Sequence, residues 1–222
     1  YDPMTTLNAP SMLEKPIATF LAQHGHSEAN LMALPSDASL RRYFRLVGAD
    51  RLLMEDQTDH VGFAAFIRLA RHLNGLGLSA PCVLGADPAV GLALIEDFGT
   101  ATYGKLLGEG HDEKALYELA IDALVHLHST PTATAITVPT YDMALMLDEV
   151  SIFSQWFVPV FAPSIDVVCF DATLRDLWSM AIAPVLDAPK ALVLRDFHVD
   201  NLMLLKGRKG ISACGLLDFQ DG

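Results

Sequence analysis

Three residues near the end of the chain have the types and the spacing to do chemistry. Asp196 is followed five positions later by Asn201, and Asp218 comes after a basic turn, immediately before Phe219. In such a pattern one carboxylate can take the proton of an acceptor hydroxyl, while the amide and the second carboxylate offer oxygens to a divalent ion. Magnesium prefers hard oxygen donors and bridges phosphates, so the set points to phosphoryl transfer. Residues 191–222, ALVLRDFHVDNLMLLKGRKGISACGLLDFQDG, read as two apolar strands joined by the basic turn. An Asp and an Asn at this spacing are common by chance. The pair gains weight from its setting: an apolar run at 192–194, LMLL after Asn201, and a further apolar run ending at Asp218. The rival reading makes Asp196 and Asp200 turn formers and Asp218 a strand-end cap.

The elements that must position these residues need a core, and composition supplies one. The chain has 222 residues, 51% of them hydrophobic, enough for one sizeable domain or two lobes. Its net charge of -12, from 15 Lys and Arg against 27 Asp and Glu, argues against nucleic acid as a partner, because no basic stripe is present. A nucleotide substrate remains compatible, since a magnesium ion and a few local cations offset its phosphates. Every long apolar run is broken before the roughly 18 uncharged residues of a membrane span, so a soluble protein without membrane contact is expected. The N-terminal YDPMTTLNAP has neither a basic start nor an apolar core, so it is no secretory signal. Cys82, Cys169 and Cys214 are widely separated and form no paired motif, which suits a reducing, cytoplasmic setting.

Along the chain, apolar spacing predicts a short helix over 12–24, then a hairpin from 40–46 and 51–57 around a Gly-Ala-Asp turn. A helix over 62–76, closed by Gly75 and Gly77, is followed by a second hairpin, 81–87 with 91–99. The order strand, strand, helix, strand, strand is that of the small lobe of a kinase-like fold. Helical patterns follow at 112–128, 143–161 and 172–185, separated by a Thr, Ala and Pro rich loop at 131–139. The expected fold class is therefore α+β, with a small antiparallel-sheet lobe over 1–99 and a mostly helical lobe over 100–222.

With these motifs in view, the chain resembles the aminoglycoside phosphotransferase and choline kinase family. Within it, SDASLRRYFRL, LALIEDFGTATYGKLL, the segment 149–157 and LRDFHVDNLML with LLDFQDG are similar to bacterial kinases that phosphorylate the anomeric hydroxyl of N-acetylmuramate and N-acetylglucosamine. The resemblance runs from about residue 34 to the end. It implies ATP and magnesium as cofactors and a small-molecule acceptor, with a sugar as the expected one. It implies Asp196 as catalytic base and Asn201 and Asp218 as magnesium ligands. It also implies that Ser36, Asp37, Ala38 and Ser39 form the loop over the nucleotide phosphates, and that Glu96, Asp97 and Phe98 meet the adenine edge. Asp97-Phe98-Gly99 spells the metal-binding tripeptide of protein kinases, but it precedes the catalytic loop and so belongs to the hinge. In similar kinases further helices follow the second acidic motif, so a longer catalytic lobe is expected than the part ending at Gly222.

Three departures stand out. Leu194 occupies the place of the protein-kinase histidine, and the phosphate loop has Ser and Ala in place of glycines. The strand 51–57 has no lysine to pair with the nucleotide phosphates. Arg41 and Arg42 are the substitutes at hand; alternation sends them to opposite faces, and Arg42 is the expected nucleotide partner. Lys206, Arg208 and Lys209 are expected to form a solvated turn tip. His198 is expected to brace its turn, and Glu149 to touch substrate or brace the loop. The missing lysine also allows a catalytically inactive nucleotide-binding scaffold, and the fold admits an aminoglycoside or choline-type kinase.

Overall fold

The computed structural model of the protein describes residues 6–7, 14–35 and 41–220. The alternating segments pair as expected. β3 (Arg42–Leu46) and β4 (Arg51–Glu55) are antiparallel, with Phe44 opposite Leu53. β4 also pairs with β6 (Leu92–Glu96), which pairs in turn with β5 (Val83–Asp87). Two short strands that the pattern does not announce, β1 (Thr6–Leu7) and β2 (Leu31–Ala33), extend the edge beside β3. Strands of two and three residues carry too little alternation to be read. The sheet order is β1-β2-β3-β4-β6-β5.

Period-2 alternation gives this sheet two different faces. On one, Phe44, Leu46, Leu53, Leu92 and Leu94 are buried with Ile17, Phe20 and Leu21 of α1 (Lys15–Gln23). The other turns Tyr43, Arg45, Leu52 and Ile95 toward an open cavity. α2 (His60–Gly75) starts on an Asp59 side chain that accepts from the Gly62 amide at 2.8 Å, and it buries Phe63, Phe66 and Leu73. α3 (Tyr103–Gly108) and α4 (Glu113–Ser129) follow, capped by Thr102 and Asp112. Histidines here serve the scaffold: His126 bonds the Leu76 carbonyl at 2.7 Å, and His72 bonds that of Ala133 at 2.8 Å.

Two compact units can be distinguished, one made of the chain up to Ile136 with the part from Leu194, the other Thr137–Val193. The second is helical. α5 (Met143–Ile152) runs through a π-helical turn, Phe153–Phe157, into α6 (Val158–Phe161), so the helix expected over 143–161 forms with a change of register. The Val158 amide reaches back to the Phe153 carbonyl, and Pro159, having no N–H, cannot restore the α register. α7 (Val167–Ile182) begins earlier than its apolar pattern suggests, because Asp166 accepts from the Val168 and Cys169 amides. Arg175 of α7 reaches the Leu147 carbonyl (3.0 Å), Asp148 (3.1 Å) and the Ser151 hydroxyl (2.8 Å). Glu149 accepts from the Tyr141 hydroxyl within the same unit. By length and composition the 19-residue run Met143–Phe161 could cross a membrane, although it is not the uncharged run of about 18 residues whose absence the sequence suggests. It carries Asp148 and Glu149, both engaged with neighbouring side chains.

Candidate active site

The site is built on a hairpin. β7 (Leu202–Leu204) pairs with β8 (Cys214–Leu216), Leu202 lying opposite Leu216, and both strands are buried through Leu202, Met203, Cys214 and Leu216. Asn201 directly precedes β7 and Asp218 closely follows β8. Antiparallel pairing therefore brings these distant residues together: the Leu217 amide donates to the Asn201 carbonyl at 2.9 Å, and Asn201 Nδ2 lies 3.4 Å from Asp218 Oδ2. Asn201 Nδ2 also donates to the backbone carbonyl of Asp196 at 3.1 Å, tying the loop that carries Asp196 to the hairpin. His198 braces the same turn, its Nδ1 3.4 Å from the Asp200 amide and its Nε2 3.2 Å from Asn201 Nδ2.

The run 192–194 before the loop, where the sequence suggests a strand, has no regular structure and pairs with no strand among the described residues. It holds its place by burying Leu192 and Leu194. Docking against α3 fixes the loop further. The Gly104 amide donates to the Val199 carbonyl at 3.0 Å, and a Cβ at Gly104 would stand 2.4 Å from Asp200 Oδ1, so a larger residue there would displace the Asp200 carboxylate. Arg195 (φ 54) and Asp218 (φ 53) both adopt left-handed backbone. For residues with a Cβ that conformation costs about 1–2 kcal/mol. Phe219 helps hold Asp218 there: it is buried and stacks on Phe66 of α2, ring centroids 5.3 Å apart and 15° from parallel. Gln220, a residue without a sequence signal, donates to Asp218 Oδ1 at 2.5 Å.

Asn201 and Asp218 open onto a cavity of about 750 Å³ that is also lined by Tyr43, Leu52, Ile95, Phe98, Met203 and Leu217. Asp196 is exposed and is not among its lining residues. The donor set suits magnesium. A carboxylate and a carboxamide stand side by side at the mouth of a cavity, and this ion takes one or two protein oxygens while keeping the rest for phosphate and water.

Glu96, Asp97 and Phe98 line the same cavity at the end of β6. The Asp97 carboxylate is held by Arg45, whose Nη2 is 2.9 Å from Oδ1, and by the Gly99 amide at 2.8 Å. Arg45 Nη2 also meets the Gly99 carbonyl at 3.2 Å, so the Asp97 carboxylate of this tripeptide is engaged by Arg45 and its own turn. Glu96 is bonded by Arg208, which reaches across from the β7–β8 turn. Arg208 Nη1 donates to the Ser79 hydroxyl at 2.8 Å, and its guanidinium lies 5.4 Å from the Phe98 ring centroid. The expected solvated tip is thus wrong for Arg208, because its side chain folds back onto Ser79, Glu96 and Phe98.

Arg42 also departs from expectation. It lies on the face of Phe44, away from the cavity, and its exposed side chain stands 2.5 Å from the buried carboxylate of Glu55. Its neighbour Arg41 lines the cavity in its place. The alternation is legible in the sequence, but which face meets the cavity depends on where α1 packs. Ser36, Asp37, Ala38 and Ser39 lie outside the described residues.

A sheet face over a cavity, with an amide and a carboxylate set side by side by a hairpin, belongs to an α+β protein of the kinase-like fold. The chain belongs to the Phosphotransferase enzyme family (APH), whose profile matches residues 30–222. It is 34% identical to an N-acetylmuramate/N-acetylglucosamine kinase of Caulobacter vibrioides, over 92% of this chain and 66% of that protein. A protein of the same name from Pseudomonas aeruginosa is 33% identical over 87% of this chain and 55% of its own length. The chain thus spans somewhat over half to two thirds of these relatives. Among solved structures, the aminoglycoside phosphotransferase APH(2'')-Ib, ADP-bound, superposes with a TM-score of 0.62 at 18% identity, covering 94% of this chain and 71% of that one.

Proposed function

We propose that the protein transfers the γ-phosphoryl group of ATP, with magnesium, to a hydroxyl of a small amino sugar. The observation that carries this reading is the meeting of Asn201 and Asp218 at one cavity, with Asn201 also holding the loop of Asp196. On this reading residues 1–99 carry the nucleotide, with Glu96, Asp97 and Phe98 at the adenine edge, and residues from 100 onward supply the catalytic loop. Bound magnesium would supply charge neutralisation across the phosphates. The side-chain Oδ1 of Asn201 and the Asp218 carboxylate would hold it, while Asp196, exposed to solvent, would orient the acceptor hydroxyl and accept its proton. A loose transition state leaves little covalent work for the protein, so positioning by the strained, glycine-docked loop supplies most of the effect. The names of the relatives favour N-acetylated amino sugars as acceptors. Unpaired Cys82, Cys169 and Cys214, together with ATP use, suit a cytoplasmic setting.

The test is ADP release with Mg-ATP and a panel of N-acetylmuramate, N-acetylglucosamine, choline-type alcohols and aminoglycosides. Acceleration by an N-acetylated amino sugar is expected. Acceleration by the cationic acceptors alone would overturn the sugar assignment, and Mg-ATP binding without ADP release for any acceptor would mark an inactive scaffold.

A further inference from the structure

Asp218 is exposed and sits on left-handed backbone, so its carboxylate needs a device that aims it. We propose that Gln220 is a positioning residue, one that turns the Asp218 carboxylate toward the metal carried by the nucleotide. This rests on the reading of the cavity as a Mg-ATP site, and goes further by naming what selects the metal-facing oxygen.

The two oxygens of this carboxylate meet different amides. Gln220 Nε2 donates to Asp218 Oδ1 at 2.5 Å, while Asn201 Nδ2 lies 3.4 Å from Oδ2. An ionised carboxylate only accepts, so Gln220 must present its nitrogen and turn its own oxygen away. Asn201 is fixed by the same rule, because its Nδ2 donates to the Asp196 carbonyl at 3.1 Å and its Oδ1 is left as the metal donor. With Oδ1 of Asp218 engaged by Gln220, Oδ2 is the oxygen turned toward Asn201. All three side chains line the same cavity.

The amide is kept in a setting that works against stability. Gln220 Oε1 is enclosed and accepts from no partner among the described residues, so it carries its desolvation penalty unrelieved. A hydrocarbon side chain of the same length would not. Asp218, for its part, is exposed and can be solvated by water, so it does not need the amide in order to be buried. A contact that costs one member and is dispensable to the solvation of the other serves orientation, not folding.

Backbone anchoring alone does not supply that orientation. Phe219, buried between the two residues and stacked on Phe66, fixes where the chain runs. It has no hold on the rotation of the neighbouring carboxylate, since the terminal torsion of an aspartate is broad and passes easily between orientations. A donor bonded to one of the two oxygens removes that freedom. Orienting partners of this kind, one step behind a metal ligand, govern metal affinity as well as the ligand itself does.

The test is calorimetric titration of ATP into wild type and Gln220→Met, each in magnesium and in EDTA. The methionine keeps the bulk of the side chain and removes its donor. In magnesium the variant should bind ATP about tenfold more weakly than wild type, whereas in EDTA the two should agree within about twofold. Should Gln220→Met fail to fold, Gln220→Ala replaces it with the same expectation. Wild-type affinity in magnesium overturns the inference, and so does an equal loss in magnesium and in EDTA, which would make Gln220 part of the scaffold. A wild type that binds ATP no more tightly in magnesium than in EDTA overturns the reading of the cavity, and this inference with it.

Discussion

Replacing Arg208 with alanine separates two views of the β7–β8 turn. Its ion pair with Glu96 is partly buried, the two side chains being 31% and 23% exposed. Discounted for solvent screening, that pair contributes about 1 kcal/mol. The bond to the Ser79 hydroxyl adds about 1 kcal/mol, and the cation over the Phe98 ring about 0.5–1 kcal/mol. Because the three share one guanidinium they do not add fully, so Arg208→Ala should cost about 2 kcal/mol. A solvated arginine would cost less than about 0.5 kcal/mol, the result expected for Lys206→Ala and Lys209→Ala. Urea denaturation measures the difference. Hydrogen exchange locates it, since the Glu96 amide bonds the Cys82 carbonyl at 2.9 Å and the Asp97 amide bonds that of Asp50 at 3.2 Å. Both amides should exchange faster in the variant. A cost under about 0.5 kcal/mol with unchanged exchange would refute the view that this turn braces the end of β6.

Other consequences concern the thiols and acid stability. Burial pushes the Cys214 thiol up, and its side chain is fully enclosed, so iodoacetamide should label exposed Cys169 in the native protein and reach Cys214 only in denaturant. Native labelling of Cys214, read by mass spectrometry, would contradict the packing of β8. The Ser154 hydroxyl, helped by Ser151 and Arg175, holds the Asp171 carboxyl below its ordinary value near 3.8. A depressed carboxyl stabilises the fold above its unfolded pKa, and that contribution disappears as pH falls through the folded value. Asp171→Asn should therefore flatten the acid side of the melting-temperature profile; an unchanged slope would exclude the Ser154–Asp171 contact.

Much of this was legible because alternation and apolar spacing are local signals. The strand, strand, helix, strand, strand order and the Asp196, Asn201, Asp218 spacing are both written in nearby residues. What was not legible depended on packing between distant ones. Arg42 and Arg41 are equivalent until α1 chooses a face of the sheet, and Arg208 looks like a turn tip until its turn folds back on Glu96. Gln220 has no pattern at all, and the π-helical turn before Pro159 is a register shift within one helical period. Asp97-Phe98-Gly99 shows the converse: its motif misleads, its place in chain order does not, and Arg45 accounts for its carboxylate.

The central claim is that Asp196 serves the acceptor while Asn201 and Asp218 serve the metal and nucleotide. Asp196→Asn, assayed for both Mg-ATP affinity and amino-sugar phosphorylation, tests that division directly. Mg-ATP should bind within about threefold of wild type, while turnover falls by about 10²–10⁴. Wild-type turnover in this variant, or loss of Mg-ATP binding together with activity, would contradict it.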